Sequence, residues 1–197
     1  MDERDLDPDP LATVAAWYAE AAAAGAPQPD AASLATATTD GRPAARMVLV
    51  RGVDAHDFVF FTSRESRKAA ELAANPRAAL VLYWQELRRQ VRLAGPIEEL
   101  PRTDVETYWR TRPRGSKLAA WASRQSHATA SREALEAAYA DADDRYPGDD
   151  VPLPDTWGGY RLAPEVVELW EHRADRLHDR VRYERDDDGW RSARLMP

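Results

Sequence analysis

Cysteine is absent from the 197 residues. Its absence excludes disulfides, thiolate metal sites and a cysteine nucleophile. Basic residues are outnumbered, with 27 Lys and Arg against 34 Asp and Glu and a formal net charge of -7. That balance argues against nucleic acid as the main partner, although local arginine clusters can still hold small anions. No apolar run approaches the roughly 20 residues of a membrane span, so no membrane association is expected. The start, M-D-E-R-D-L-D-P-D-P, is acidic and has no apolar signal region, which suits a soluble, cytoplasmic protein. There is no G-x-G-x-x-G and no Walker loop, so neither a Rossmann nor a P-loop nucleotide site is indicated. No His/Asp/Glu cluster has metal-ligand spacing, and no metal is expected.

A hydrophobic fraction of 44% is ordinary for a globular chain of this length. It fits one domain over 1–197, with a helical insertion at about 101–146. Asp9-Pro10 reads as a helix start, and Leu11, Val14, Trp17 and Tyr18 recur at helical spacing until Gly25 and Pro27 stop them. Strands are expected at Ala32–Thr38 and Pro43–Arg51 around an Asp40-Gly41 hairpin turn, then at Phe58–Thr62. Ser66 is expected to cap a helix ended by Asn75-Pro76. Strands Ala78–Trp84 and Arg88–Glu98 follow, then helices Pro101–Arg112 and Ser131–Tyr146. Trp157–Ala163, Val166–Glu171, Arg180–Glu184 and Trp190–Leu195 complete the strands. Antiparallel hairpins with helices inserted between them predict a closed or nearly closed β-barrel with peripheral helices, an α+β fold.

Three stretches carry the candidate chemistry. Trp170–Arg180, W-E-H-R-A-D-R-L-H-D-R, crowds charge beside a tryptophan. On a strand, Arg176, His178 and Arg180 would share one face. They would give permanent forked donors and an imidazole that titrates near neutrality. That set suits a planar, anionic, redox-active ligand. Around Ser66, two cations, Arg67 and Lys68, open a helix where the dipole disfavours them, which suggests a bound anion. In Y-W-R-T-R-P-R-G-S, Tyr108 and Arg112 are i and i+4, and Ser116 follows the Pro113 break. A phenol, a guanidinium and a hydroxyl there would make a phosphate pocket without metal. Each stretch also has a plainer reading: a charged hairpin edge, a solvated first turn, and a helix C-terminus that favours cations.

Together, R-M-V-L-V-R, V-F-F-T-S-R-E-S-R-K, R-R-Q-V, Y-W-R-T-R-P-R-G-S, W-A-S-R-Q-S, W-G-G-Y-R, R-L-H-D-R and the terminal W-R-S-A-R-L-M-P occur in one order. In these motifs the chain resembles the pyridoxine/pyridoxamine 5'-phosphate oxidases, FMN enzymes of the split-barrel fold, over nearly its whole length. The resemblance implies FMN held by Arg46, Met47, Val48, Leu49, Val50 and Arg51, by Phe61 and Thr62, and by Arg67 and Lys68. It implies Gln90 at the flavin edge, with Gln125, Ser126, Trp170 and Arg180 completing the site across a homodimer interface. Tyr108, Arg112 and Ser116, assisted by Arg51, would grip the phosphate of a pyridine substrate. Arg176 and His178 would face its ring and reacting carbon as catalytic residues.

The implied activity is oxidation of pyridoxamine or pyridoxine 5'-phosphate to pyridoxal 5'-phosphate, with dioxygen as acceptor and peroxide as by-product. An FMN oxidase of a specialised pathway, acting on a reduced aromatic carboxylate as in phenazine synthesis, is a second reading. A flavin-binding module without turnover is a third. Three departures bear on the choice. Arg51 stands where the family usually has lysine. The N-terminal arm that closes over substrate is expected to be missing. Glu171-His172-Arg173-Ala174-Asp175 replaces a glycine-rich link.

Overall fold

The computed structural model describes Met1, residues 6–53 and residues 57–197. The expectation about the N-terminal arm falls partly on residues 2–5, which lie outside the described residues.

Helix α1 (Pro10–Ala23) starts as its sequence requires, with the Asp9 carboxylate accepting from the Leu11 N–H. Its buried stripe of Val14, Trp17 and Ala21 packs on the sheet. β1 (Ala31–Ala37) and β2 (Pro43–Leu49) form the expected hairpin, and Gly41 at its turn takes a φ of 84°. After β3 (Phe58–Ser63), Ser66 caps α2 (Arg67–Ala74) by accepting from the Ala69 N–H. β4 (Arg77–Trp84) and β5 (Arg89–Glu99) follow. Three helices, α3 (Arg102–Thr111), α4 (Arg114–Ala122) and α5 (Arg132–Arg145), then precede β6 (Trp157–Leu162), β7 (Val166–Glu171), β8 (Asp179–Asp186) and β9 (Gly189–Arg194).

Every named strand pairing is antiparallel. Strands run in the order β2-β1-β4-β5-β7-β8-β9, while β6 pairs with both β5 and β3. A bridge between Arg51 and Val59 brings the end of β2 to β3. β2, β1, β4, β5, β6 and β3 thus close a barrel, and β7–β9 extend one wall.

β5 makes this split possible. One edge pairs with β4 from Arg89 to Pro96; the other pairs with β7 through Ala94 and with β6 from Ile97. Gly95 sits at the divergence, where a Cβ would lie 2.0 Å from the Ala163 carbonyl oxygen. Inside, Leu34, Phe58, Phe60, Leu80, Leu82, Leu93, Leu162 and Leu169 are fully buried. Each such side chain contributes about 1.5–3 kcal/mol through burial.

Strand alternation does not extend into the β7–β8 connection. Ala174–Arg176 form a 3-10 turn, with Asp175 at φ 55° and Arg176 at φ 62°. Two consecutive left-handed residues turn the chain, so the expected common strand face of Arg176, His178 and Arg180 does not exist. Only Arg180 lies in β8, while His178 precedes it.

Candidate functional site

β2 and β3 touch only near the Arg51–Val59 bridge and diverge beyond it. The gap is a pocket of about 900 Å³, floored by α3 and α4. Met47, Val48, Leu49 and Arg51 line one side; Phe61, Thr62 and Lys68 line the other. Tyr108, Arg112, Ser116 and Gln125 reach it from the helical segment. One wall is a stack of near-parallel rings. Phe61 lies 3.9 Å from Tyr108 and 5.2 Å from Trp157, centroid to centroid.

At the α2 end, Lys68 is buried and donates to the Thr62 hydroxyl at 2.9 Å and the Gln125 Oε1 at 3.1 Å. Thr62 in turn donates to Gln125 at 2.6 Å. Burial, then the charge of Arg46, pull the Lys68 ammonium below its ordinary pKa, and Glu71 works against them. Ser126, at φ 73°, accepts from the Arg67 N–H at 3.2 Å.

At the α3–α4 end, Arg112 lies over Trp157 at 4.5 Å and over Trp109 at 5.0 Å. Its Nη1 is buried without a hydrogen-bond partner among the described residues. Burial also draws this guanidinium below its ordinary pKa, opposed by Tyr108. Arg51 is ion-paired with Asp30, and its Nε donates to the Tyr108 hydroxyl at 3.1 Å. With its oxygen accepting, the phenol keeps its own proton for another acceptor. Pro113 and Ser116, at the start of α4, also line the pocket, with the Ser116 N–H donating to the Pro113 carbonyl at 2.9 Å.

The remaining predicted residues lie elsewhere. Val50 is 1% exposed, so its side chain belongs to the core and only its backbone could serve a ligand. Arg46 and Arg67 do not line the pocket; both are held by Glu71. Gln90 pairs with Tyr83 on β4 and Trp170 on β7, and Trp170 pairs with Arg180 on β8. Those four side chains therefore form a row across one sheet face. Arg180 grips the buried carboxylate of Glu168 through Nε and Nη2, at 3.0 and 2.9 Å. The His178 ring sits 4.7 Å from Trp170 and 5.1 Å from His172. Its Nδ1 accepts from the Arg173 N–H at 3.2 Å, so a neutral His178 carries its proton on Nε2. Arg176 is exposed, and its guanidinium has no partner among the described residues. None of Gln90, Trp170, Arg176, His178 and Arg180 lines the β2–β3 pocket.

Sequence reasoning missed the carboxylates behind the cations: Asp30, Glu71 and Glu168. Glu71 had a local signal in its i,i+4 spacing from Arg67. Asp30 and Glu168 had none as strong, because Arg51 and Arg180 meet them only through folding. Among the described residues no group of His, Asp and Glu could hold a metal.

A family model described as pyridoxamine 5'-phosphate oxidase matches residues 18–146. The chain belongs to the pyridoxamine 5'-phosphate oxidase family. A second model, the pyridoxine 5'-phosphate oxidase C-terminal dimerisation region, matches residues 157–197. A pyridoxine/pyridoxamine 5'-phosphate oxidase of Rubrobacter xylanophilus is 50% identical over 195 residues, covering 99% of this chain and 90% of that one. One from a Nocardioides species is 51% identical over 197 residues, covering 100% and 92%. Among solved structures, PhzG from Burkholderia lata 383, in complex with tetrahydrophenazine-1-carboxylic acid, superposes with a TM-score of 0.92 at 35% identity, over 98% of this chain and 95% of that one. A pyridoxamine 5'-phosphate oxidase-related, FMN binding protein from Nostoc punctiforme gives 0.76 at 22% identity, over 98% and 100%, a likeness of fold alone. Family membership makes the chain an oxidoreductase with the split-barrel fold of these relatives. No helix among its described residues is long and apolar enough to cross a membrane.

Proposed function

We propose that the chain is an FMN-dependent oxidase converting pyridoxamine or pyridoxine 5'-phosphate to pyridoxal 5'-phosphate, with dioxygen as acceptor and hydrogen peroxide as by-product. The observation that carries this reading is the pocket's two cationic ends. Among the described residues, a buried ammonium, Lys68, is hydrogen-bonded only to neutral oxygens, and a buried guanidinium, Arg112, has an orphaned Nη1. Buried cations without hydrogen-bonded acids are costly until an anion arrives. Two such ends, joined by an aromatic wall, suit two phosphates and two planar rings: FMN at the α2 end and the substrate at the α3–α4 end. The donor set therefore fits the cofactor.

Thr62, Lys68, Gln125 and Ser126 would hold the cofactor at the start of α2, with Arg46 and Arg67 behind them. Met47, Val48, Leu49 and Phe61 would flank its ring. Gln90, Trp170 and Arg180 would come from a second copy, because they lie outside this chain's pocket. The same second copy would bring Arg176 and His178 to the substrate ring, consistent with a family dimerisation region over residues 157–197. When bound, FMN would supply the hydride acceptor for the substrate's C4' carbon and the redox link to dioxygen.

The side chains bind, orient and handle protons. Arg112, Ser116 and Tyr108 fix the substrate phosphate, with Tyr108 donating the proton that Arg51 leaves free. His178 can donate from Nε2 to the amine or hydroxyl at the reacting carbon. The exposed Arg176 is free to cover the ring from the far side.

PhzG's similarity supports a second reading, oxidation of a reduced aromatic carboxylate in a specialised pathway. Arg112 would serve a carboxylate as well as a phosphate. Oxygen uptake by FMN-loaded protein separates the two. Turnover of pyridoxamine 5'-phosphate is expected. Turnover of a tetrahydrophenazine carboxylate alone would transfer the assignment to the second reading.

A further inference from the structure

Four charged side chains meet where α2 begins: Arg46, Arg67, Lys68 and Glu71. Glu71 follows Arg67 by one helical turn, and its side chain is 5% exposed. It accepts from three separate elements: Arg46 Nη2 on β2 at 2.9 Å, Arg67 Nε on α2 at 2.8 Å, and the Thr36 hydroxyl on β1. Arg46 is fixed further by Thr36 Oγ1 at 2.5 Å and by the Leu34 carbonyl at 3.3 Å. Lys68 turns instead toward the pocket, to Thr62 and Gln125. One carboxylate therefore faces three cations, and the cluster carries an excess of positive charge.

We propose that Glu71 is a positioning residue for the cofactor's phosphate: it fixes Arg46 and Arg67 behind the start of α2 before the ligand arrives. This rests on the reading that FMN occupies the pocket. A free arginine loses rotamer freedom when it binds an anion, and prior fixation removes that loss from the binding step. Glu71 also sustains the charge of its neighbour. Burial, then Arg46, weaken the Lys68 ammonium, and the Glu71 carboxylate offsets part of that loss. Removing the carboxylate's charge therefore loosens two cations and weakens a third. Direct repulsion between Glu71 and a phosphate acts in the opposite sense, and the proposal is that organisation outweighs it.

Flavin binding tests this without turnover. Apo-protein is titrated with FMN and with riboflavin, which lacks the phosphate, and flavin fluorescence is followed. Glu71→Gln keeps the shape and removes the charge. It should weaken FMN about tenfold and leave riboflavin within about twofold, the size of one lost charge-assisted contact. Thr36→Val, which removes a donor to Glu71, should shift FMN in the same direction by less, and it carries the same comparison if Glu71→Gln does not fold. Equal weakening of both flavins would reduce Glu71 to a structural brace and overturn the proposal. So would an unchanged or improved preference for FMN. A wild type that shows no preference for FMN over riboflavin would instead refute the cofactor reading itself.

Discussion

The β2–β3 pocket and the β7–β8 hairpin hold the two halves of the candidate site, and they are built differently. In the pocket, side chains from β3, α2, α3 and α4 converge within one chain, and several are fixed. Tyr108 is stacked on Phe61, Arg51 is tied to Asp30, and Lys68 is locked between Thr62 and Gln125. On the hairpin, Arg180 is fixed by Glu168, but Arg176 stands exposed on a left-handed turn. A braced pocket and an exposed hairpin on one chain are what the proposed shared site would look like before its partner is added. On the proposed reading, the pocket binds and the hairpin handles protons.

The largest expected effect is on the hairpin side. His178→Ala should lower kcat by about 10²- to 10⁴-fold, the usual worth of a positioned acid or base, with little change in KM. Steady-state oxygen uptake measures it, and a pure KM effect would make His178 a binding residue and erase the contrast. Next is the α2 end of the pocket. Replacing Arg67 and Lys68 together by alanine should cost several kcal/mol of FMN affinity, at about 1.5–3 kcal/mol for each charge-assisted contact. Flavin titration showing wild-type affinity would remove both from the phosphate site. At the substrate end, Arg112→Ala should raise the KM for pyridoxamine 5'-phosphate roughly ten- to a hundredfold with a smaller effect on kcat. An equal fall in kcat would place Arg112 with the chemistry instead.

The smallest effect concerns acid stability of the same pocket. Hydrogen bonds from Thr36, then Arg67 and Arg46, hold the Glu71 carboxyl below the ordinary carboxylate range against its burial. Its folded pKa is depressed, so its contribution to stability is present above the unfolded value, about 4.3. That contribution is lost as pH falls through the folded pKa. Chemical denaturation of wild type and Glu71→Gln should therefore show a gap near neutral pH that narrows below about pH 4. A gap independent of pH would contradict the ionised carboxylate.

Much of this was legible in the sequence where the determinants are local. The Asp9 and Ser66 caps, the Gly41 turn and the β2 alternation follow from neighbouring residues. Tyr108, Arg112 and Ser116 meet because a helix face and a proline break place them together. The hairpin geometry was not legible, because neither Asp175 nor Arg176 is a glycine and nothing local announces two left-handed residues. Nor were the braces Asp30 and Glu168, whose partners are far off along the chain or across a strand pairing. The burial of the Val50 side chain was not legible either: alternation puts it on the face of Val48, which lines the pocket, yet it lies in the core and leaves only its backbone for a ligand.

The central claim is that pocket and hairpin belong to one site only when two chains combine. Arg112→Ala damages the pocket half and His178→Ala the hairpin half. Each variant alone should be nearly inactive under subsaturating pyridoxamine 5'-phosphate. Mixed, unfolded and refolded together with FMN, they should form hybrid dimers carrying one intact site beside one doubly damaged site. Random pairing should then restore about a quarter of wild-type activity. A mixture no more active than its parents would contradict the account and place both halves of the site within a single chain.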